Sequence, residues 1–172
     1  MPNFDWDDNA APMAYLITIR TYGTWLHGDE RWSVDRRGRN VFGTPRVKPV
    51  PKLDRLMEKN LAQAPFIIEA THRGHIEAAI KEVCKFRVYG LFALSVRTNH
   101  SHVVVAGLVK PEKIAVEFKS YSTRRLREEG LIDDDRRIWS RGESTRYLWK
   151  DRHVELAIDY VLHCQGDELP KF

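Results

Sequence analysis

Two histidines stand one residue apart at the start of an apolar run, in the segment RTNHSHVVVAG at residues 97–107. In a β-strand, successive side chains point to opposite faces, so His100 and His102 would lie on the same face. The valines at 103–105 make both faces apolar, which is typical of a central strand in a covered sheet. Two neutral imidazoles that project together could share one divalent cation, or they could be two polar residues at the end of a strand.

A tyrosine near the end of the sequence is the second group that could do chemistry. The segment RHVELAIDYVLHCQG at residues 152–166 predicts a helix that ends at a glycine. At about 100° per residue, the apolar stripe of this helix comprises Val154, Ala157, Ile158, Val161 and Leu162. Tyr160 falls outside the stripe, so the core does not require it. It is either a half-buried residue at the rim of the helix or a hydroxyl available as a nucleophile.

Clustered arginines predict contacts with phosphate groups. The segment PEKIAVEFKSYSTRRLREEG at residues 111–130 predicts a helix that begins at a proline and ends at a glycine. The candidate nucleic-acid contacts on this helix and after it are Arg124, Arg125, Arg127, Arg141 and Arg146. The alternative is a solvated basic face on which the helix arginines pair partly with Glu128 and Glu129. A second tyrosine, Tyr121, shares the apolar stripe of this helix, which predicts a packing role.

The elements that must position these residues alternate between strand and helix. Strand patterns cover residues 14–26, 91–99, 101–107 and 144–151, and helix patterns cover residues 75–90, 111–130 and 152–166. The second and third strands would form an antiparallel hairpin, with the histidines at its turn. This order predicts an α+β fold that resembles a ferredoxin-like split βαβ sandwich, with an antiparallel sheet, helices on one face and an appended C-terminal helix.

Turn-forming residues define the expected domain organisation. Glycines and prolines are frequent in residues 27–65, which predicts a long loop with one short helix near residues 53–62. We expect a flexible N-terminal tail at residues 1–13. A single domain should follow at residues 14–172, with a loop-rich insertion at about 27–70.

Length and composition limit the class of protein. A chain of 172 residues suits one hydrophobic core, and its net charge of +4 with a pI near 9.1 suits an anionic partner. Cys84 and Cys164 are too few for a disulfide framework, which suits a reducing compartment. No apolar run reaches the roughly 18 residues of a membrane span, and the acidic N-terminus lacks a signal-peptide pattern. We therefore expect a cytoplasmic, nucleoid-associated protein without a membrane partner.

Taken together, these segments resemble one known family. The pair His100 and His102 after Asn99, followed late in the chain by the tyrosine helix AIDYVLHCQG, is similar to the single-tyrosine HUH transposases of the insertion-sequence 200-like and REP-associated branches. TIRTYGTWLHGD and STRYLWKDRHVELAIDYV also resemble segments of the REP-associated branch. The resemblance covers roughly residues 14–26 and 75–166. Ser101 departs from it, because the family has an apolar residue at this position.

The resemblance implies an enzyme that cleaves and rejoins single-stranded DNA. Tyr160 would be the nucleophile that becomes attached to a 5′-phosphate, and His100 and His102 would hold Mg²⁺ or Mn²⁺. By the same resemblance, the third metal ligand would lie about one turn after the tyrosine. Gln165 is favoured over His163, because its amide oxygen suits Mg²⁺ or Mn²⁺, whereas an imidazole suits softer ions. The implied partners are single-stranded or hairpin DNA and a second copy of the chain in a homodimer.

Two other classes of function fit the same residues. An inactive, domesticated descendant could hold hairpin DNA or RNA on the same basic surface without chemistry. Alternatively, His100, His102 and Cys164 could bind Zn²⁺ in a structural or hydrolytic site. Basic patches do not discriminate between enzyme and binding module, whereas the set of His100, His102 and Tyr160 does, because only the enzyme needs it.

Overall fold

The computed structural model of the protein describes residues 11–25 and 51–166. Residues 1–10 of the expected tail at 1–13, and residues 27–50 of the expected insertion at about 27–70, therefore lie outside the described residues. The elements in chain order are β1 (Ala14–Thr21), α1 (Pro51–Lys59), α2 (Ala70–Arg87), β2 (Gly90–Val96), β3 (His100–Ala106), α3 (Pro111–Glu128), β4 (Trp139–Leu148) and α4 (Asp151–His163). No helix in these two ranges is both long and apolar enough to cross a membrane.

The four strands form one antiparallel sheet in the order β2-β3-β1-β4. β3 is central, and its valines at 103–105 are fully buried, as their apolar pattern predicts. Its register with β1 places His102 opposite Thr18 and His100 opposite Arg20. The prediction of an α+β fold with an antiparallel sheet, helices on one face and an appended C-terminal helix is confirmed.

The alternation of side chains along the strands divides the protein into two apolar layers. One face of the sheet packs against α2 and α3 and forms the larger core, which includes Ile17, Ile19, Ile76, Ile80, Val103 and Phe118. The other face packs against α4 through a smaller cluster, which comprises Ala14, Ala93, Val104, Leu148, Ala157 and Val161. Thr18 and His102 alternate with the first set along their strands, so they lie on the α4 face.

The ends of α2 differ from the predicted helix at 75–90. The helix begins at Ala70 because Glu69 and His72 form a capping box, in which the Nδ1 atom of His72 accepts the backbone N–H of Glu69 at 3.1 Å. It ends at Arg87 because Val88, rather than Gly90, adopts the left-handed conformation, with a φ of 58°. A capping box that uses histidine is not the Ser/Thr pattern that marks a helix start in a sequence.

The ends of several other strands and helices also differ from those predicted from the sequence. β1 ends at Thr21 rather than residue 26, because Gly23 with a φ of 72° turns the chain away from the sheet. The short helix expected near residues 53–62 occupies Pro51–Lys59, and β4 starts five residues earlier than the predicted strand at 144–151. α4 ends at His163, and Leu162, which we placed on its apolar stripe, is 51% exposed.

Candidate active site

The two histidines lie on the α4 face of the sheet with their rings in contact. Their ring centroids are 4.5 Å apart, and the ring planes are inclined by 68°. His102 is buried, whereas His100, at the first residue of β3, is only partly covered. The strand alternation predicted from the sequence therefore does bring the two imidazoles to one place.

Each imidazole is oriented by a hydrogen bond at its Nδ1 atom. The Nδ1 of His100 is 2.7 Å from Oδ1 of Asn99, and because an amide oxygen can only accept, the ring N–H donates. The Nδ1 of His102 is 2.7 Å from the hydroxyl of Thr18 on β1. Such partners fix the ring orientation and leave Nε2 for another ligand, as in the outer shell of histidine metal sites.

Gln165 presents its side-chain oxygen to this pair of histidines. Its Oε1 atom is 3.4 Å from Nε2 of His100, and the side chain is also within hydrogen-bonding reach of His102. Its Nε2 atom donates to the carbonyl oxygen of Tyr160 at 2.8 Å, which fixes the direction of the amide. With Nδ1 of His100 protonated, Nε2 and Oε1 face each other as two acceptors, so this contact needs either a proton or a cation. Two imidazole nitrogens and one amide oxygen thus form a donor set that suits a divalent cation with open coordination positions.

His102 is neutral in this environment. Its pKa falls from 6.5 to about 3, first because the ring is buried and then because His100 and Arg20 lie close to it, while the contact with Gln165 acts in the opposite direction. A neutral imidazole is the form that binds a metal ion. The burial that follows from the central position of β3 therefore keeps this candidate ligand deprotonated.

Tyr160 lies beside the histidines, and Tyr121 does not. The ring of Tyr160 is 42% exposed and its centroid is 5.4 Å from that of His102, with the planes inclined by 67°. Tyr121 packs against the larger core on the α2–α3 face, and the guanidinium of Arg124 lies 4.9 Å over its ring. The packing role predicted for Tyr121 agrees with this position.

The other candidate ligands do not join this donor set. Within residues 11–25 and 51–166, no group of three or more His, Cys, Asp or Glu side chains could hold a metal ion. The zinc alternative, which required Cys164 beside His100 and His102, therefore lacks its third ligand there. Cys164 and His163 are both exposed at the end of α4, whereas Gln165 is the residue that reaches the imidazoles.

The candidate DNA-binding arginines are spread over several surfaces. Arg124 and Arg127 line a shallow groove of about 460 Å³ together with Trp139. Arg125 forms an ion pair with Glu82 on α2, a partner that neither the phosphate-contact prediction nor the alternative of a solvated basic face had named. On β4, Arg141 and Arg146 are exposed, and Arg146 lies opposite Leu16 on the histidine face.

Two neighbours of the histidines were missed in the sequence. Thr18 and Arg20 lie on β1 directly opposite His102 and His100. The guanidinium of Arg20 lies 4.0 Å over the ring of Trp25. The sequence AYLITIRT shows that these two residues alternate with buried isoleucines. Only the pairing of β1 with β3 shows that their cross-strand neighbours are the two histidines.

Comparisons with known proteins concern the fold. No family model and no curated protein matches the chain. Among solved structures, the chain is similar to a REP-associated tyrosine transposase bound to a REP hairpin, with 13% identity, a TM-score of 0.48, and coverage of 91% of this chain and 69% of the other. It is also similar to a candidate transposase from Deinococcus radiodurans R1, with 10% identity, a TM-score of 0.47, and coverage of 88% and 90%.

Proposed function

We propose that the protein is a metal-dependent transposase of the HUH type, which cleaves and rejoins single-stranded DNA through a phosphotyrosine at Tyr160. The observation that carries the proposal is the position of this tyrosine on α4. Its ring contacts His102, and its carbonyl oxygen holds the amide of Gln165 towards the two histidines. A nucleophile and three candidate ligands therefore belong to one hydrogen-bonded group.

In this proposal, His100, His102 and Gln165 hold Mg²⁺ or Mn²⁺. When bound, such a cation polarises a phosphate and offsets the negative charge that develops during displacement. Asn99 and Thr18 hold the two imidazoles in orientation through their Nδ1 atoms, which leaves both Nε2 atoms for the cation. The amide of Gln165 adds a neutral oxygen, which suits these hard cations better than the exposed thiol of Cys164 would.

Tyr160 supplies the nucleophile. Its phenolic oxygen loses its proton to solvent and forms a bond to phosphorus, while the bond from phosphorus to the 3′-oxygen breaks. The departing 3′-oxygen takes up a proton and becomes a hydroxyl, and the 5′-phosphate remains on the tyrosine. The reverse attack by a 3′-hydroxyl would rejoin the strand and restore Tyr160.

We propose single-stranded or hairpin DNA as the substrate. The exposed arginines on α3 and β4, among them Arg124, Arg127, Arg141 and Arg146, offer charge for the phosphate backbone. Arg125 is the weaker candidate, because it already pairs with Glu82. The homodimer and the nucleoid-associated location remain predictions from the sequence.

The test is a covalent adduct between protein and DNA. The protein is incubated with labelled single-stranded hairpin oligonucleotides of varied sequence, with Mg²⁺ or Mn²⁺, and separated on a denaturing gel. Wild type should give a shifted band that EDTA prevents. Tyr160→Phe should abolish the band because phenylalanine has no nucleophile, and Tyr121→Phe is the matched control that should retain it.

Two results would contradict this proposal. A band that persists in Tyr160→Phe but disappears in Tyr121→Phe would place the nucleophile on α3. Tight binding of hairpins by wild type, without any adduct in either metal ion, would support the inactive binding module instead.

A further inference from the structure

We propose that Arg20 is a phosphate-binding residue of the histidine site, where its guanidinium contacts a non-bridging oxygen of the DNA phosphate. The inference deepens the proposed function and rests on it. It concerns a residue for which the sequence offered no role, on a strand that carries none of the candidate ligands.

The position of Arg20 follows from the register of the sheet. On β1 it lies directly opposite His100 on β3, and two residues from Thr18, which contacts His102. Directly opposed side chains on one face of an antiparallel pair have β-carbons about 4.5–5.5 Å apart. Arg20 is therefore an immediate neighbour of the histidine pair, on the same face as α4.

Trp25 contacts this arginine, and the pairing of β1 with β4 is irregular at the same position. The guanidinium lies 4.0 Å over the ring of Trp25, a contact that favours one planar orientation of the side chain. The register of β1 with β4 shifts between Ile19 and Thr21. Arg20 is therefore the single β1 residue that faces the three β4 residues 140–142. Irregularities of this kind redirect side chains and occur frequently beside active sites.

A partly buried lysine on α3 stabilises the same irregularity. The Nζ atom of Lys119 donates to the carbonyl oxygens of Ser140 and Gly142 at 3.3 and 3.1 Å, and it pairs with Glu143 at 2.8 Å. The first two contacts satisfy backbone carbonyls that the shifted register leaves out of the ladder, and the third pairs the ammonium with a carboxylate. The distortion opposite Arg20 is therefore built into the packing of α3 on the sheet.

The positive charge of Arg20, next to a site that would hold a cation, favours a bound anion between them. A guanidinium is permanently positive and cannot serve as a metal ligand. Beside a cation held by the histidines it would be repulsive, because Arg20 lies directly opposite His100. A phosphate between the two positive groups removes the repulsion, and guanidinium is well suited to phosphate oxygens.

The experiment compares Arg20→Gln, Arg20→Lys and Arg137→Gln. Arg137 is a matched control, because its guanidinium also lies over an aromatic ring, at 5.7 Å from Tyr22, and its loss removes the same charge from the α2–α3 side. Each variant is first checked by thermal unfolding. Mn²⁺ binding is measured by calorimetry without DNA, and binding of a short oligothymidylate is measured by fluorescence anisotropy in EDTA.

Arg20→Gln should bind Mn²⁺ about fivefold more tightly than wild type, because a nearby positive charge is gone. It should bind the oligothymidylate about tenfold more weakly, a larger loss than in Arg137→Gln, because a charge-assisted hydrogen bond is missing. Arg20→Lys keeps the charge, so its Mn²⁺ affinity should stay near that of wild type. A merely structural contact with Trp25 would instead lower both affinities in Arg20→Gln and Arg20→Lys.

The inference is overturned if Arg20→Gln weakens Mn²⁺ binding, or if it binds the oligothymidylate as well as Arg137→Gln does. Failure of the proposed function gives a different result. Wild type would then form no adduct or bind no Mn²⁺, while the comparison of oligothymidylate binding between Arg20→Gln and Arg137→Gln would still decide the role of Arg20.

Discussion

Replacing Ser101 by alanine should stabilise the protein without affecting its chemistry. Ser101 stands between the two histidines in sequence, but its side chain points to the opposite, α2–α3 side of the sheet and is fully buried. Its hydroxyl has no hydrogen-bond partner among the described residues. A buried hydroxyl without a partner costs about 1–3 kcal/mol. Because alanine keeps the β-carbon, we expect Ser101→Ala to raise the free energy of unfolding by about 1 kcal/mol.

For a chain of this size, 1 kcal/mol corresponds to an increase in Tm of about 2–4 °C. Thermal unfolding followed by circular dichroism, with urea unfolding as a second measurement, would detect it. Ser122→Ala is a matched comparison, because that hydroxyl on α3 is equally buried and also lacks a partner among the described residues. Mn²⁺ affinity should be unchanged in both variants. A fall in Tm for Ser101→Ala would refute the reasoning, because it would mean that the hydroxyl is hydrogen-bonded in the native protein.

Two further predictions follow from burial. In EDTA, the free energy of unfolding should decrease as the pH falls from about 6.5 towards 3, because unfolded His102 takes up a proton near pH 6.5 and the folded residue only near 3. Urea unfolding at several pH values should show that His102→Gln flattens this decrease by up to about 1.4 kcal/mol per pH unit, and an unchanged slope would contradict the assignment. A thiol reagent should modify exposed Cys164 quickly and Cys84 slowly, because burial raises the pKa of Cys84 to about 11. Cys164→Ser should remove the fast phase, and two fast thiols would show that Cys84 is accessible.

The sequence predicted the parts of the site that depend on strand and helix periodicity. Alternation alone put His100 and His102 on one face, and the helical stripe left Tyr160 outside the core. Both expectations agree with the structure, in which His102 contacts Tyr160. The oxygen of Gln165, which the family resemblance and the chemistry of its amide favoured as a ligand, lies 3.4 Å from Nε2 of His100.

The remaining features depend on contacts between distant segments. Arg20 and Thr18 enter the site only because β1 pairs with β3, across some 80 residues of sequence. The ion pair between Arg125 and Glu82 likewise requires the packing of α2 against α3, whereas sequence reasoning considered only neighbours on the same helix. Local patterns contain no information about such partners.

The helices on the two faces of the sheet are held to it by unequal amounts of buried apolar surface. On α4 only Ala157 and Val161 are buried, against the small cluster on its face of the sheet, whereas α2 and α3 share the larger core. Local opening of α4 therefore exposes less apolar surface than opening of the α2–α3 layer, and it costs less free energy. Because Gln165 is bonded to the backbone of Tyr160, the two would leave together, while His100 and His102 stay on the sheet. In the proposed reaction, local opening of α4 would move Tyr160 and a DNA strand bound to it away from the histidines, while the rest of the protein stays folded.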